Sequence, residues 1–388
     1  MIKIGIRNNL FYPMMLAINS TLRQILSIVM NEIIEFDESL LLEFIMFLSE
    51  FITGLILYIY HKIILRKKKD INKKFMGINL IIEDPDIYHP INNKKILFLI
   101  FATGFFDFTQ FSIETYYIQK LNNDLSRSLQ IPLRSILITS YSALLCIFLL
   151  KFKIQKHQQY SLFIILVCLI IEIISDGCFI FISKNISTKN WLYTISLIFV
   201  NYFFSSLIDV IEKYLIEYSN INPFLILMLE GITGLLLSSN YFLTQNPFNE
   251  LNNFYNNNNQ IKFIILICCL FLYFIFSGGK NLYRILTNKL YSPMAWTLTD
   301  SIFDPFIFTY YFYFSEKKLN EQNILFFIIN IMISITIVFC ACIYNELFVL
   351  YCCNLQTNTY YEISRRASKS YVNSFEYKLD DDEDDILY

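Results

Sequence analysis

Residues 159–182 read QYSLFIILVCLIIEIISDGCFIFI. As an α-helix this segment would be about 36 Å long, more than the roughly 30 Å hydrocarbon core of a bilayer. It holds two acidic residues, Glu172 and Asp176, and no basic one, while Lys151, Lys153 and Lys156 stand just before it. A long apolar segment with cations at one end reads as a membrane-spanning helix whose basic end faces the cytosol. The rest of the chain agrees. Its 388 residues are 55% hydrophobic and 16% charged, against about 25% charged in soluble domains. A water-soluble core of this size cannot hide so much apolar surface, which excludes a soluble enzyme. Disorder is excluded because it needs few apolar residues and high charge. The net charge of -2 offers nucleic acid no basic field, so lipid and not nucleic acid is the expected surroundings.

Ten segments of this kind can be traced, at 11–30, 40–60, 95–119, 126–150, 159–182, 190–217, 222–243, 261–282, 290–314 and 324–350. The first is weakened by Asn19 and Arg23. Lysines and arginines concentrate in 61–94, 151–158, 283–289 and the C-terminal tail, which places both termini in the cytosol. The opposite side has an acidic first loop and an Asn-rich stretch, 244–260, expected to be a flexible loop. The tail ends in the acidic run 380–385, which should stay solvated. Ten spans divide into two sets of five, and odd-numbered sets inserted in sequence point in opposite directions, the inverted-repeat plan of many secondary transporters. The expected fold is therefore an all-α polytopic membrane protein. Residues 1–182 form one five-helix repeat with a basic cytosolic loop at 61–94, residues 183–350 the second, and 351–388 a cytosolic acidic tail.

Charges inside the spans carry the functional signal, since each costs at least about 2.5 kcal/mol near mid-bilayer and must find a partner or a watery cavity. Asp107, Glu114, Arg134, Glu172, Asp176, Asp209, Glu212, Lys213, Glu230, Asp300, Asp304 and Glu346 are of this type. Lys213 reads as a snorkelling side chain near the cytosolic end of its span. Arg134 is either a receptor for an anionic group or half of a fixed salt bridge. Pro132 and Pro305 remove helix hydrogen bonds and are candidate kinks. With only nine glycines, close helix approach is expected to rely on alanine and serine. His61, His89 and His157 are scattered singly and nine cysteines lie mostly in apolar runs, so neither a metal site nor an enzyme centre is expected, and no cofactor.

Four stretches carry a resemblance: SLQIPLRSILITSYSALLCIFLLKFKI at Ser128–Ile154, with Gln130 and Arg134; EIISD at Glu172–Asp176; IEKYLIEYSNINPFLILMLEGITGLL at Ile211–Leu236; and LTNKLYSPMAWTLTDS at Leu286–Ser301. In this order the chain resembles the drug/metabolite transporter superfamily, in its nucleotide-sugar-transporter-like solute carrier family 35 branch. The resemblance implies ten helices in two repeats, an endomembrane location (Golgi, endosome or lysosome), and alternating-access movement of an organic solute by a monomer or homodimer. Similar members carry an arginine where Trp296 stands here, and a second one after the following aspartate is also missing, which weakens the case for a nucleotide phosphate. The expected path for a small polar or anionic solute runs through Asp107, Gln130, Arg134, Asp176, Glu212, Glu230, Asp300 and Asp304, with Arg134 facing a substrate anion or Asp300 and with Glu230 and Asp107 as candidate proton carriers. The competing reading is a receptor or scaffold that keeps a transporter-like fold without transport.

Overall fold

A computed structural model describes residues 2–4, 11–36, 39–70, 93–114, 123–183, 188–245, 247–257, 260–291, 293–294, 297, 305–306, 309, 321–344, 346, 348–350 and 359. Ten helices account for nearly all of these residues: α1 (Phe11–Ile28, continued by a π turn over Val29–Ile33), α2 (Ser39–Asp70), α3 (Lys94–Ser112), α4 (Asn123–Leu149), α5 (Lys156–Ser183), α6 (Thr188–Glu217), α7 (Pro223–Gln245), α8 (Pro247–Asn257), α9 (Gln260–Leu290) and α10 (Glu321–Tyr344). The two strands among the described residues, β1 (Ile2–Ile4) and β2 (Phe348–Leu350), pair antiparallel and bring the two ends of the helical region together.

Seven of the helices contain a stretch long and apolar enough to cross a membrane, in α2, α3, α5, α6, α7, α9 and α10. Their surfaces are inverted relative to a soluble protein. Phe148, Ile261 and Phe98 are more than 70% exposed, while Glu50, Glu172, Asp209, Glu212, Lys213 and Glu230 are essentially buried. Apolar exterior and charged interior suit a hydrocarbon solvent, so this is an integral membrane protein. Of the three other expected spans, α1 is helical but its apolar run is interrupted by Asn19 and Arg23, α4 has a shorter apolar part at Leu133–Leu149, and 290–314 falls mostly outside the described residues.

Two boundaries differ from the sequence reading. The expected loop 283–289 is the last two turns of α9, because its charge is neutralised inside the protein and does not end the helix. The Asn-rich stretch holds α8, which starts at a proline suited to the first helical turn. Its Leu251 and Phe254 pack into the cluster of Met30, Phe36 and Leu266, with the Phe254 and Phe36 rings edge to face at 5.5 Å.

Helix α2 lies along α7, α1 along α9, α3 along α6, and α5 along α10; α2 also touches α9, and α3 touches α7. The α2–α7 contact rests on glycine, contrary to the expectation of alanine and serine. A Cβ on Gly54 would stand 2.5 Å from the Met228 backbone nitrogen, one on Gly231 would strike the Phe51 backbone, and one on Gly234 would enter the Phe47 ring. Few glycines suffice because they are placed where two backbones meet. The matched pairs 54 with 228, 51 with 231 and 47 with 234 run in opposite senses, so the two helices are antiparallel.

Candidate functional site

At the centre of the bundle Arg284 of α9 is 7% exposed. Its Nη2 forms an ion pair and hydrogen bond with Glu212 of α6. Asn288, one turn along α9, donates to the second oxygen of Glu212 at 2.9 Å. Glu212 is thus held by two side chains four residues apart on one helix face. Glu230 of α7 brings an oxygen to 3.7 Å from the same guanidinium nitrogen, and Asp209, one turn before Glu212, lies 3.9 Å from Nε. Asp107 of α3 is buried and within electrostatic reach of Arg284. Glu50 of α2 completes the ring, feels both Asp107 and Arg284, and is fully buried. Five helices therefore deliver charge to one place.

Just beyond this ring Lys213 does not snorkel. It is 1% exposed. Its ammonium donates to the carbonyls of Asn288 and Tyr291, each at 2.7 Å, and pairs with Glu217 one turn along α6. The end of a helix leaves carbonyls without partners and a partial negative charge, so a buried ammonium is a fitting cap. α6 is also tied to α4, through the Ser206 hydroxyl donating to Ile138 and the Tyr218 hydroxyl donating to Leu150.

Of the expected path residues, Asp107, Glu212 and Glu230 are gathered around Arg284. Arg134 is half-buried on α4. Gln130 and Pro132 lie on α4, which stays helical through the proline, and Asp176 lies on α5 one turn after buried Glu172. Asp300 and Asp304 fall outside the described residues. Pro305 sits in a helical turn whose carbonyl accepts from the Thr309 hydroxyl at 2.7 Å.

The residue that sequence reasoning missed is Arg284. The apolar window closes at 282, and the positive-inside rule then assigns Arg284 and Lys289 to a loop. A signal was present: Ser277, Asn281, Arg284 and Asn288 recur every three or four residues, which draws a polar stripe down one face of a single long helix. Among the described residues no group of histidine, cysteine, aspartate and glutamate is arranged to hold a metal ion. No protein-family model matches the chain, and no curated protein matches it either.

Proposed function

We propose that this chain is a secondary transporter that carries a small polar organic solute across an endomembrane by alternating access, with Arg284, Glu212, Glu230, Asp209 and Asp107 as its polar centre. The observation that carries the reading is the buried charge itself. A bundle needing only mechanical stability gains little from a guanidinium and several carboxylates in its core, because desolvation offsets most of their attraction. Five helices, counting α2 with Glu50, converge on this centre and suit a site opened to one side and then the other.

The packing supports two five-helix repeats. Let α1, α2, α3 and α5 correspond to α6, α7, α9 and α10. The α2–α7 and α5–α10 contacts then map onto themselves, α1–α9 maps onto α6–α3, and α2–α9 maps onto α7–α3. The antiparallel crossing of α2 and α7 is what inversion requires of equivalent helices. Pairing of β1 with β2 requires an even number of crossings between them, which suits ten spans with both ends on one side. The lysine and arginine distribution favours cytosolic ends, and the resemblance in sequence favours an endomembrane.

The experiment is uptake into liposomes containing the purified full chain, with pools of nucleotides, nucleotide sugars, amino acids and amines as candidate solutes. Saturable uptake by the native protein that is lost in Arg284→Gln, at equal incorporation, is the expected result. Folded, incorporated protein that takes up no pool would shift the reading to a non-transporting receptor.

A further inference from the structure

We infer that Glu50 and Glu230 form a buried carboxyl pair that binds an exchangeable proton. This rests on the transporter reading only for its use; the site itself stands on geometry. Phe51 opposes Gly231 across the α2–α7 crossing, and because the helices are antiparallel Glu50 and Glu230 lie one residue to either side of that contact, about 3 Å apart along the axes and within electrostatic reach of each other. Both are at most 1% exposed. All four of their carboxyl oxygens lack a hydrogen-bond partner of good geometry among the described residues, and the Thr103 hydroxyl beside Glu230 donates instead to the Ile100 carbonyl at 2.7 Å. The close backbone contact at Gly54 and Gly231 leaves this level little room for water.

The neighbouring charges do not balance two carboxylates. Glu43 comes from α2, Asp107 from α3, Asp209 and Glu212 from α6, and Arg284 and Lys280 from α9. On α1, Arg23 is directed to the sulfur of Met46. Lys213 is engaged with Glu217 and the carbonyls at the end of α9. Arg284 already serves Glu212 by direct contact and reaches Glu230 only at 3.7 Å. An ionised carboxylate in a dry interior without a hydrogen bond is strongly disfavoured, and a second one close by adds repulsion. The neutral acid avoids both. When the centre opens to water, the carboxylic acid dissociates to carboxylate and a proton that leaves to solvent; on closure the proton is taken up again. This chemistry would place a proton in the transport cycle at a position on α2 that forms no part of the path read from the sequence.

The test is infrared spectroscopy of the full chain in liposomes at neutral pH, with no solute, so the result is independent of whether transport is found. The expected spectrum has the carbonyl stretch of a protonated carboxylic acid, and Glu50→Gln or Glu230→Gln removes intensity from it. Glutamine has nearly the same shape as the neutral acid, so both variants should also melt no lower than the native protein, whereas Glu212→Gln should melt lower. A native spectrum without that band overturns the proposal. So does a band unchanged in both variants, or a clear loss of melting temperature in both.

Discussion

Replacing Arg284 by glutamine removes the only guanidinium in direct contact with the buried carboxylates described around it. Glu212 would keep its bond from Asn288 but lose its ion pair, and Asp209 would lose the cation that stands within 4 Å of it. A unit pair 4 Å apart interacts by about 4 kcal/mol at an effective dielectric of about 20. Desolvation of the arginine offsets part of this, and breaking one side of a buried pair costs about 3–5 kcal/mol net. At 1.4 kcal/mol per tenfold, that is a loss of roughly two to three and a half powers of ten in the folding equilibrium. The assay is a double-mutant cycle on unfolding of the solubilised protein, using Arg284→Gln, Glu212→Gln and both together. The double variant should recover about 2–3 kcal/mol relative to the sum of the singles, because Glu212 is no longer an orphaned carboxylate, whereas the loss at Asp209 is common to the Arg284→Gln single variant and the double. Strict additivity, or an Arg284→Gln variant as stable as the native chain, would refute the charge-centred reading of this bundle.

Two further outcomes follow from the packing. Gly54→Val should lower stability by at least the roughly 1–3 kcal/mol typical of overpacking, seen as loss of the monodisperse peak in gel filtration, because its Cβ would meet the α7 backbone 2.5 Å away; Leu236→Ala, on a 63% exposed side chain, should leave the peak intact. Lys213→Met should cost about 1–3 kcal/mol by stranding the carbonyls of Asn288 and Tyr291, and hydrogen exchange should quicken at the end of α9; unchanged exchange there would rule out the capping role.

Where apolar periodicity was strong, sequence reading located the elements well. The segment at 159–182 lies inside α5, and 40–60 inside α2. It failed where charge and structure part company. Arg284 and Lys213 both carry the mark of a membrane boundary, yet both are buried, because their partners come from residues 72 and 75 positions away in sequence, Glu212 and the Asn288 carbonyl. No local window can see such a partner. Asn-rich 247–257 looked structureless because its apolar residues are few, but Leu251 and Phe254 lie on one helix face and find a hydrophobic wall built by α1 and α9. The sequence points to Arg134 as the cation facing an anion, whereas the cation in contact with the buried carboxylates is Arg284 on α9.

The order of these charges along the chain has a consequence for biogenesis. Glu50, Asp107, Asp209, Glu212 and Glu230 all leave the ribosome before Arg284, and Lys213 emerges before the carbonyls at the end of α9 that it caps. Synthesis proceeds from the N-terminus, so α2, α3, α6 and α7 must enter the bilayer with their acids unneutralised by the guanidinium and their ammonium without its final acceptors. Arrival of α9 is therefore the committing step of assembly. A nascent chain halted at residue 257 would hold every buried acid of the centre and lack the one side chain that gathers them.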